Sequence, residues 1–275
     1  MRVGIMVHGR REDAVCQAKK AAAYLQSRGV TVVAEDDAAP ILGVPSFSQA
    51  HGADVIVTLG GDGTILRGAQ YALRWDAALL GINMGRVGFL AEVEPEAIEQ
   101  ALDAVVRGEY RLERRPVLEV QSGGKTWYAL NDVVISRGGY SRLITIDALV
   151  DGDSTGRYVA DGLIVATPTG STGYCLSAGG PVVSPKVDCM VITPICAHTL
   201  QHRPCVVHGG AHIRLQLRAE EVQSASLEVD GQTCMDLHAG MTVDVRKDQR
   251  ALRLIRMRES RFFQTVRDKL TEWTR

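Results

Sequence analysis

The chain has almost no excess charge. Its 31 Lys and Arg residues face 32 Asp and Glu residues, a net charge of −1. A general nucleic-acid coat carries a basic surplus, so that class starts disfavoured. No apolar run approaches the roughly 18 residues that a membrane-spanning helix needs. The N-terminal stretch Met1-Arg2-Val3-Gly4-Ile5-Met6-Val7-His8 lacks the longer apolar region of a secretion signal and reads as a first buried strand. None of the six cysteines forms a C-x-x-C pair, and in a non-secreted chain such thiols stay reduced. There is no internal repeat and no low-complexity segment. What is present is ordinary soluble usage, 45% hydrophobic and 23% charged over 275 residues, enough for one or two domains with a large core.

The first 110 or so positions alternate strand-like and helix-like patterns. Val3–Val7, Val30–Ala34, Asp54–Leu59 and Ala77–Ile82 read as strands. Val15, Ala18, Ala22 and Leu25 form one helical stripe, with Gly29 placed as its C-terminal glycine. Ile65, Leu66, Ala69, Ala72 and Leu73 form a second, and Pro95 opens a third carrying Ile98, Leu102 and Val105. Asp36–Ala50, broken by Pro40, Gly43 and Pro45, reads as a loop. This alternation predicts a parallel, Rossmann-like α/β domain over residues 1–112. The pattern then changes to period two, with hairpin signals at Gly123-Gly124, Asp151-Gly152, Asp230-Gly231 and Lys247-Asp248. Residues 113–258 therefore read as an all-β, sandwich-like domain. From 259 to 275 helical spacing returns at Phe263, Val266, Leu270 and Trp273, predicting a terminal helix that docks back on the first domain.

Two stretches carry chemistry. Gly60-Gly61-Asp62-Gly63-Thr64 sits between a strand and a helix, where ligands of parallel sheets bind. Its glycines let a backbone approach phosphate, and the N–H groups of a helix start face an anion. It is neither G-x-G-x-x-G nor a Walker A loop. An acidic residue in such a cradle suits a proton acceptor or a cation ligand; the plainer alternative is that Asp62 caps the helix. The second stretch runs from Asp161 through Ala166-Thr167-Pro168-Thr169-Gly170-Ser171-Thr172-Gly173-Tyr174 to Ser177 and Gly179-Gly180-Pro181. Its hydroxyls and free N–H groups suit ribose and phosphate oxygens, and Tyr174 suits a base face. Cys189, Cys196, His198, His202, Cys205, His208 and His212 also fall close together. Their spacing matches no zinc pattern, so they read as buried thiols and surface histidines.

Together these stretches resemble the NAD kinase family. The resemblance includes GGDGT at 60–64, the Gly81–Leu90 stretch with Phe89, Asn131-Asp132, the block 161–181, Pro194 to His198, and Arg203-Pro204. It implies transfer of the γ-phosphoryl of ATP, or of polyphosphate, to the 2′-hydroxyl of the adenosine ribose of NAD. Asp62 would be the catalytic base. Gly63, Arg67, Phe89, Asn131, Asp132, Arg142, Asp161, Thr172, Gly173, Tyr174, Ser177 and Gln232 would contact NAD. Gly60, Gly61, Gly63, Thr64, Gly179 and Gly180 would serve the phosphate donor. Asp132 stands where the family carries Glu, one methylene shorter. The resemblance further implies Mg²⁺ held mainly by ATP rather than by a protein metal site, a cytoplasmic homodimer or homotetramer, and no nucleic-acid or membrane partner. The alternatives are a lipid kinase sharing GGDG and a non-catalytic NADP sensor.

Overall fold

The computed structural model describes residues 1–8, 11–85, 88–138, 143–198, 202–218, 225–259 and 262–272. They fall into two compact units, one made of Met1–Arg115 with Leu252–Arg275, the other of Pro116–Ala251.

The first unit is built on β1 (Arg2–Val7), α1 (Glu12–Ser27), β2 (Thr31–Ala34), α2 (Ala39–Leu42), β3 (Val55–Gly60), α3 (Asp62–Trp75), β4 (Ala78–Asn83) and α4 (Ile98–Arg107). The strands run parallel in the order β2-β1-β3-β4. Every residue of β3 and β4 is buried, as expected of a parallel sheet covered on both faces. Helix α1 packs on a seam of Ala14, Ala18, Ala21, Ala22 and Leu25, whose small side chains allow close approach. Val15, expected in that seam, is only partly buried. Past the helix end, Gly29 takes φ +74° and its N–H returns to the Gln26 carbonyl, closing α1 in the left-handed manner.

The expected loop over 36–50 contains a single helical turn, α2. Pro40 stands in its first turn, where the missing N–H costs nothing, and Gly43 ends it at φ +66°. The residues read as breakers are thus the start and stop of an element. Pro95 begins a 3₁₀ turn, Pro95–Ala97, that leads into α4.

The second unit follows with β5 (Arg111–Ser122), β6 (Lys125–Ala129), β7 (Asp132–Arg137), β8 (Ile144–Val150), β9 (Asp153–Ala160), β10 (Gly162–Ala166), α5 (Tyr174–Ser177), β11 (Cys189–Ile195), β12 (Cys205–His208), β13 (Ile213–Leu217), β14 (Ala225–Val229), β15 (Gln232–Leu237) and β16 (Thr242–Arg256). One antiparallel layer runs β12-β11-β10-β7-β14-β15. In the other, β13 joins β8 and the first part of β16, and β8 pairs with β9. Ile135, Leu163, Ile192 and Leu227 of the first layer share one core with Ile146, Ile213, Leu215 and Val243 of the second, which is sandwich packing.

Three of the four expected hairpins are present, joining β5 to β6, β8 to β9 and β14 to β15. The fourth is not: Lys247-Asp248 lies inside β16. The Asp248 carboxylate is taken by the Arg250 N–H and guanidinium, and that guanidinium lies 4.2 Å from the centre of the Tyr128 ring. The acid is satisfied along its own strand, so the chain has no need to reverse there.

The last residues of β16 pair in parallel with β4. Helix α6 (Phe262–Glu272) completes the first unit. Its inward face is only in part the expected one. Val266 and Lys269 are buried, whereas Phe263 and Leu270 are exposed, and Trp273 lies outside the described residues. Among the described residues no helix is long and apolar enough to cross a membrane.

Candidate active site

In the first unit β3 ends at Gly60, whose carbonyl accepts the Met84 N–H. Gly61 is the N-cap of α3 and Asp62 its first helical residue. The Gly61 carbonyl takes the N–H groups of Thr64 and Ile65 at 2.9 and 3.2 Å. Asp62 does not cap its own helix. Its Oδ2 accepts the Phe89 N–H at 2.8 Å and its Oδ1 the Leu90 N–H at 3.2 Å, so consecutive peptide donors grip the two carboxylate oxygens. A Cβ at Gly88, just before them, would overlap the Asp62 carboxylate.

The segment presenting these donors is braced. Arg256 donates to the Leu90 carbonyl and pairs with Glu92 and Glu113 at 3.0 and 2.6 Å. Glu92 in turn accepts the N–H groups of Met257 and Arg258. Lys269 reaches the same place from α6, with its Nζ 3.9 Å from Asp62 Oδ2. Gly63 faces open space, since a Cβ built there meets nothing within 4 Å. Thr64 is buried.

Arg67 is committed elsewhere in this structure. Its guanidinium pairs with Glu35 at 3.1 Å and donates to the Val7 carbonyl at 3.4 Å. Burial raises the Glu35 carboxyl above its usual range, opposed by Arg67. Glu35, at the carboxyl end of β2, was not singled out in the sequence.

In the second unit Asn131 and Asp132 are held from two sides. Asp230, at φ +49° in the β14–β15 hairpin, accepts the N–H groups of Leu130, Asn131 and Asp132 at 2.8, 2.7 and 3.2 Å. From the 161–181 block, Thr167 donates its hydroxyl to the Leu130 carbonyl and its N–H to the Asn131 carbonyl. Gly170 packs so tightly on Asn131 that a Cβ would overlap the Asn131 carbonyl. A Cβ at Gly173 would lie 3.7 Å from Asn131 Nδ2 and 3.8 Å from Asp132 Oδ2. The fold thus brings Asn131, Asp132 and Gly173 together.

Asp132 is 5% exposed. Burial first, then the neighbouring Asp230 and Glu228 carboxylates, push its pKa up to about 7. Burial also raises Asp230, to about 6, against the pull of its three N–H donors. Tyr174 is half exposed, and its hydroxyl is raised by burial and then by acids that include Glu228, Asp161 and Asp132. Asp161 pairs with Arg137 at 2.7 Å. Thr172 is buried and donates to the Thr169 carbonyl, while Ser177 and Gln232 are exposed. Gly179 has φ +87°, and Gly180 packs against Cys175 and Thr193. Arg142 lies outside the described residues.

Sequence reasoning missed Leu90, Lys269, Asp230, Glu228 and Thr167. Asp230, Thr167 and Leu90 left a signal, as part of a hairpin, of the hydroxyl-rich block and of the Gly81–Leu90 stretch; Lys269 and Glu228 left none. Among the described residues no three His, Cys, Asp or Glu side chains form a metal-binding group. Of the cysteines read as buried, Cys189 is, Cys205 is half-buried and Cys196 is exposed. His208 pairs with Asp151, and the partly buried His212 with Asp244.

Fold and site define a class: a two-unit, α/β-plus-β protein with an acidic glycine-rich loop at a strand–helix junction. The family profile described as "ATP-NAD kinase N-terminal domain" matches residues 3–110, and that of the "ATP-NAD kinase C-terminal domain" matches 130–257. The chain is 42% identical to a NAD kinase of Moorella thermoacetica, covering 90% of this chain and 82% of that one. It is 38% identical to a NAD kinase of Syntrophotalea carbinolica, covering 98% of each. Among solved structures it is similar to yeast NADH kinase complexed with NADH, at TM-score 0.91 and 26% identity, covering 98% of this chain and 87% of that one. It is also similar to an NAD kinase of Archaeoglobus fulgidus in complex with ATP, at TM-score 0.77 and 28% identity, covering 98% and 99%. The chain belongs to the NAD kinase family.

Proposed function

We propose that this protein transfers the γ-phosphoryl group of ATP to the 2′-hydroxyl of the adenosine ribose of NAD, giving NADP and ADP, with Asp62 as the proton acceptor. The observation that carries the reading is the Asp62 carboxylate, held at the start of α3 by two peptide N–H groups beside the open face of Gly63. The ribose oxygen forms a bond to the γ-phosphorus, the bond from that phosphorus to the ADP oxygen breaks, and the hydroxyl proton passes to Asp62. A ribose hydroxyl is far less acidic than a carboxylic acid. Asp62 therefore orients it and takes the proton late, as the loose transition state collapses.

Gly60, Gly61, Gly63 and Thr64 are proposed to face the phosphates, with Gly179 and Gly180 serving the donor. Phe89, Asn131, Asp132, Arg142, Asp161, Thr172, Gly173, Tyr174, Ser177 and Gln232 are proposed to hold NAD. Arg67 joins them on release from Glu35. Among the described residues no three His, Cys, Asp or Glu side chains form a metal-binding group; a divalent ion, Mg²⁺, would come with the nucleotide and would supply charge neutralisation on its phosphates. Polyphosphate is a second donor to be tried. We place the protein in the cytoplasm as a homodimer or homotetramer, which light scattering tests.

The test of function is NADP formation by the purified protein with NAD, ATP and Mg²⁺, read by an NADP-specific dehydrogenase. Steady NADP production is expected. A folded protein that binds NADP but makes none would instead be a dinucleotide sensor, and one that does neither would return the question to the wider group of GGDG kinases.

A further inference from the structure

Helix α6 turns a charged side chain inward. Phe263 is 66% exposed and Leu270 39%, whereas Val266 is 7% and Lys269 8% exposed. Burying a lysine is costly unless its ammonium is compensated. Here Lys269 Nζ lies 3.8 Å from the centre of the Phe89 ring and 3.9 Å from Asp62 Oδ2. The ring offers its electron-rich face, and the carboxylate offers the opposite charge. Oδ2 is also the oxygen that accepts the Phe89 N–H at 2.8 Å. Residue 89 therefore serves the acid twice, through its backbone directly and through its ring as the seat of the ammonium.

The two peptide donors come from adjacent residues of one segment and grip the carboxylate along one edge. A group gripped along one edge can still tilt about it. A cation arriving from a separate element limits that tilt. At 3.9 Å the ammonium acts through charge rather than as a close hydrogen bond, so it guides Asp62 without occupying the lone pair that must receive the proton.

We propose that Lys269 is the positioning residue for Asp62: seated on the Phe89 ring, its ammonium holds the carboxylate in the orientation that accepts the acceptor's proton. The proposal rests on the reading of Asp62 as the base. It makes turnover depend on the C-terminal helix through one charge rather than through helix packing in general.

Three variants separate these roles in the full-length protein. Lys269→Met keeps the long stem and removes the charge. Its kcat is expected to fall about ten-fold or more while KM for NAD stays within about two-fold, with Tm close to wild type because the part-exposed Asp62 carboxylate keeps its two peptide N–H donors. Lys269→Arg keeps the charge and is expected to restore most of kcat. Val266→Ala removes buried packing from the same helix and is expected to lower Tm while keeping kcat well above that of Lys269→Met. Wild-type kcat in Lys269→Met, alongside an inactive Asp62→Asn, would overturn the proposal and leave Asp62 as the base. Equal loss of kcat in Val266→Ala and Lys269→Met would reduce Lys269 to helix docking and also overturn it. Full activity in Asp62→Asn would remove the base reading itself, and this proposal with it.

Discussion

The two units hold their key aspartates in opposite ways. Asp62 is held by two peptide N–H donors and faces the ammonium of Lys269. Asp132 is buried among acids, with Asp230 and Glu228 as its charged neighbours, and is pushed up to about 7. One side chain type is thus given two environments. The first holds an acceptor in place, and the second makes ionisation costly near neutral pH. Under the proposed roles, one fold would set a proton acceptor apart from a binding group through neighbours rather than residue identity.

The strongest way to break this contrast is at Asp62. Asp62→Asn keeps the shape and removes the acceptor, and kcat is expected to fall about 10²- to 10⁴-fold, measured as NADP formation. Next comes Asp230. Asp230→Ala leaves three N–H groups of the Leu130–Asp132 segment without their acceptor, and unfolding stability is expected to drop by about 2–4 kcal/mol. Chemical denaturation checks this, with a rise in KM for NAD as the companion readout.

Asp132→Asn sharpens the comparison through pH. The folded pKa of Asp132 lies above its unfolded value, so the folded state binds the extra proton. Its contribution to stability therefore declines as pH rises from about 4 to about 7 and levels off above that. The Asn variant is expected to be more stable than the wild type by about 1–3 kcal/mol at pH 8, with the gain vanishing toward pH 4. Denaturant midpoints across that range decide it. The smallest effect is expected at Phe263, which is 66% exposed. Phe263→Ser should change stability by less than about 0.5 kcal/mol, which tests that α6 faces inward through Val266 and Lys269.

Much of the architecture was legible because its signals are local. The buried parallel strands are short apolar runs, and Gly123-Gly124, Asp151-Gly152 and Asp230-Gly231 sit at tight turns. The strand–helix junction at 60–64 was readable from its glycines. Two of the misreadings share one cause, a polar residue satisfied by a partner that the local pattern did not reveal. Lys247-Asp248 carries a turn composition, but Arg250 takes the acid and β16 runs on. In α6 apolar spacing favoured Phe263 and Leu270, yet the inward place belongs to a lysine whose partners come from elsewhere in the unit. The grip on Asp62 comes from backbone N–H groups, which every residue but proline carries, so no side-chain pattern could point to it. Asp230 looked like a turn residue because it is one; that its carboxylate also fixes Asn131 and Asp132 depends on the pairing of β7 with β14.

The division of labour between the two acids is tested most directly by measuring kcat and the NAD dissociation constant together in Asp62→Asn and Asp132→Asn. The expected pattern is a crossing: Asp62→Asn loses turnover and keeps its affinity for NAD, whereas Asp132→Asn keeps most of its turnover at saturating NAD and binds NAD more weakly. Asp62→Asn with full turnover, or Asp132→Asn with lost turnover and unchanged affinity, would contradict it.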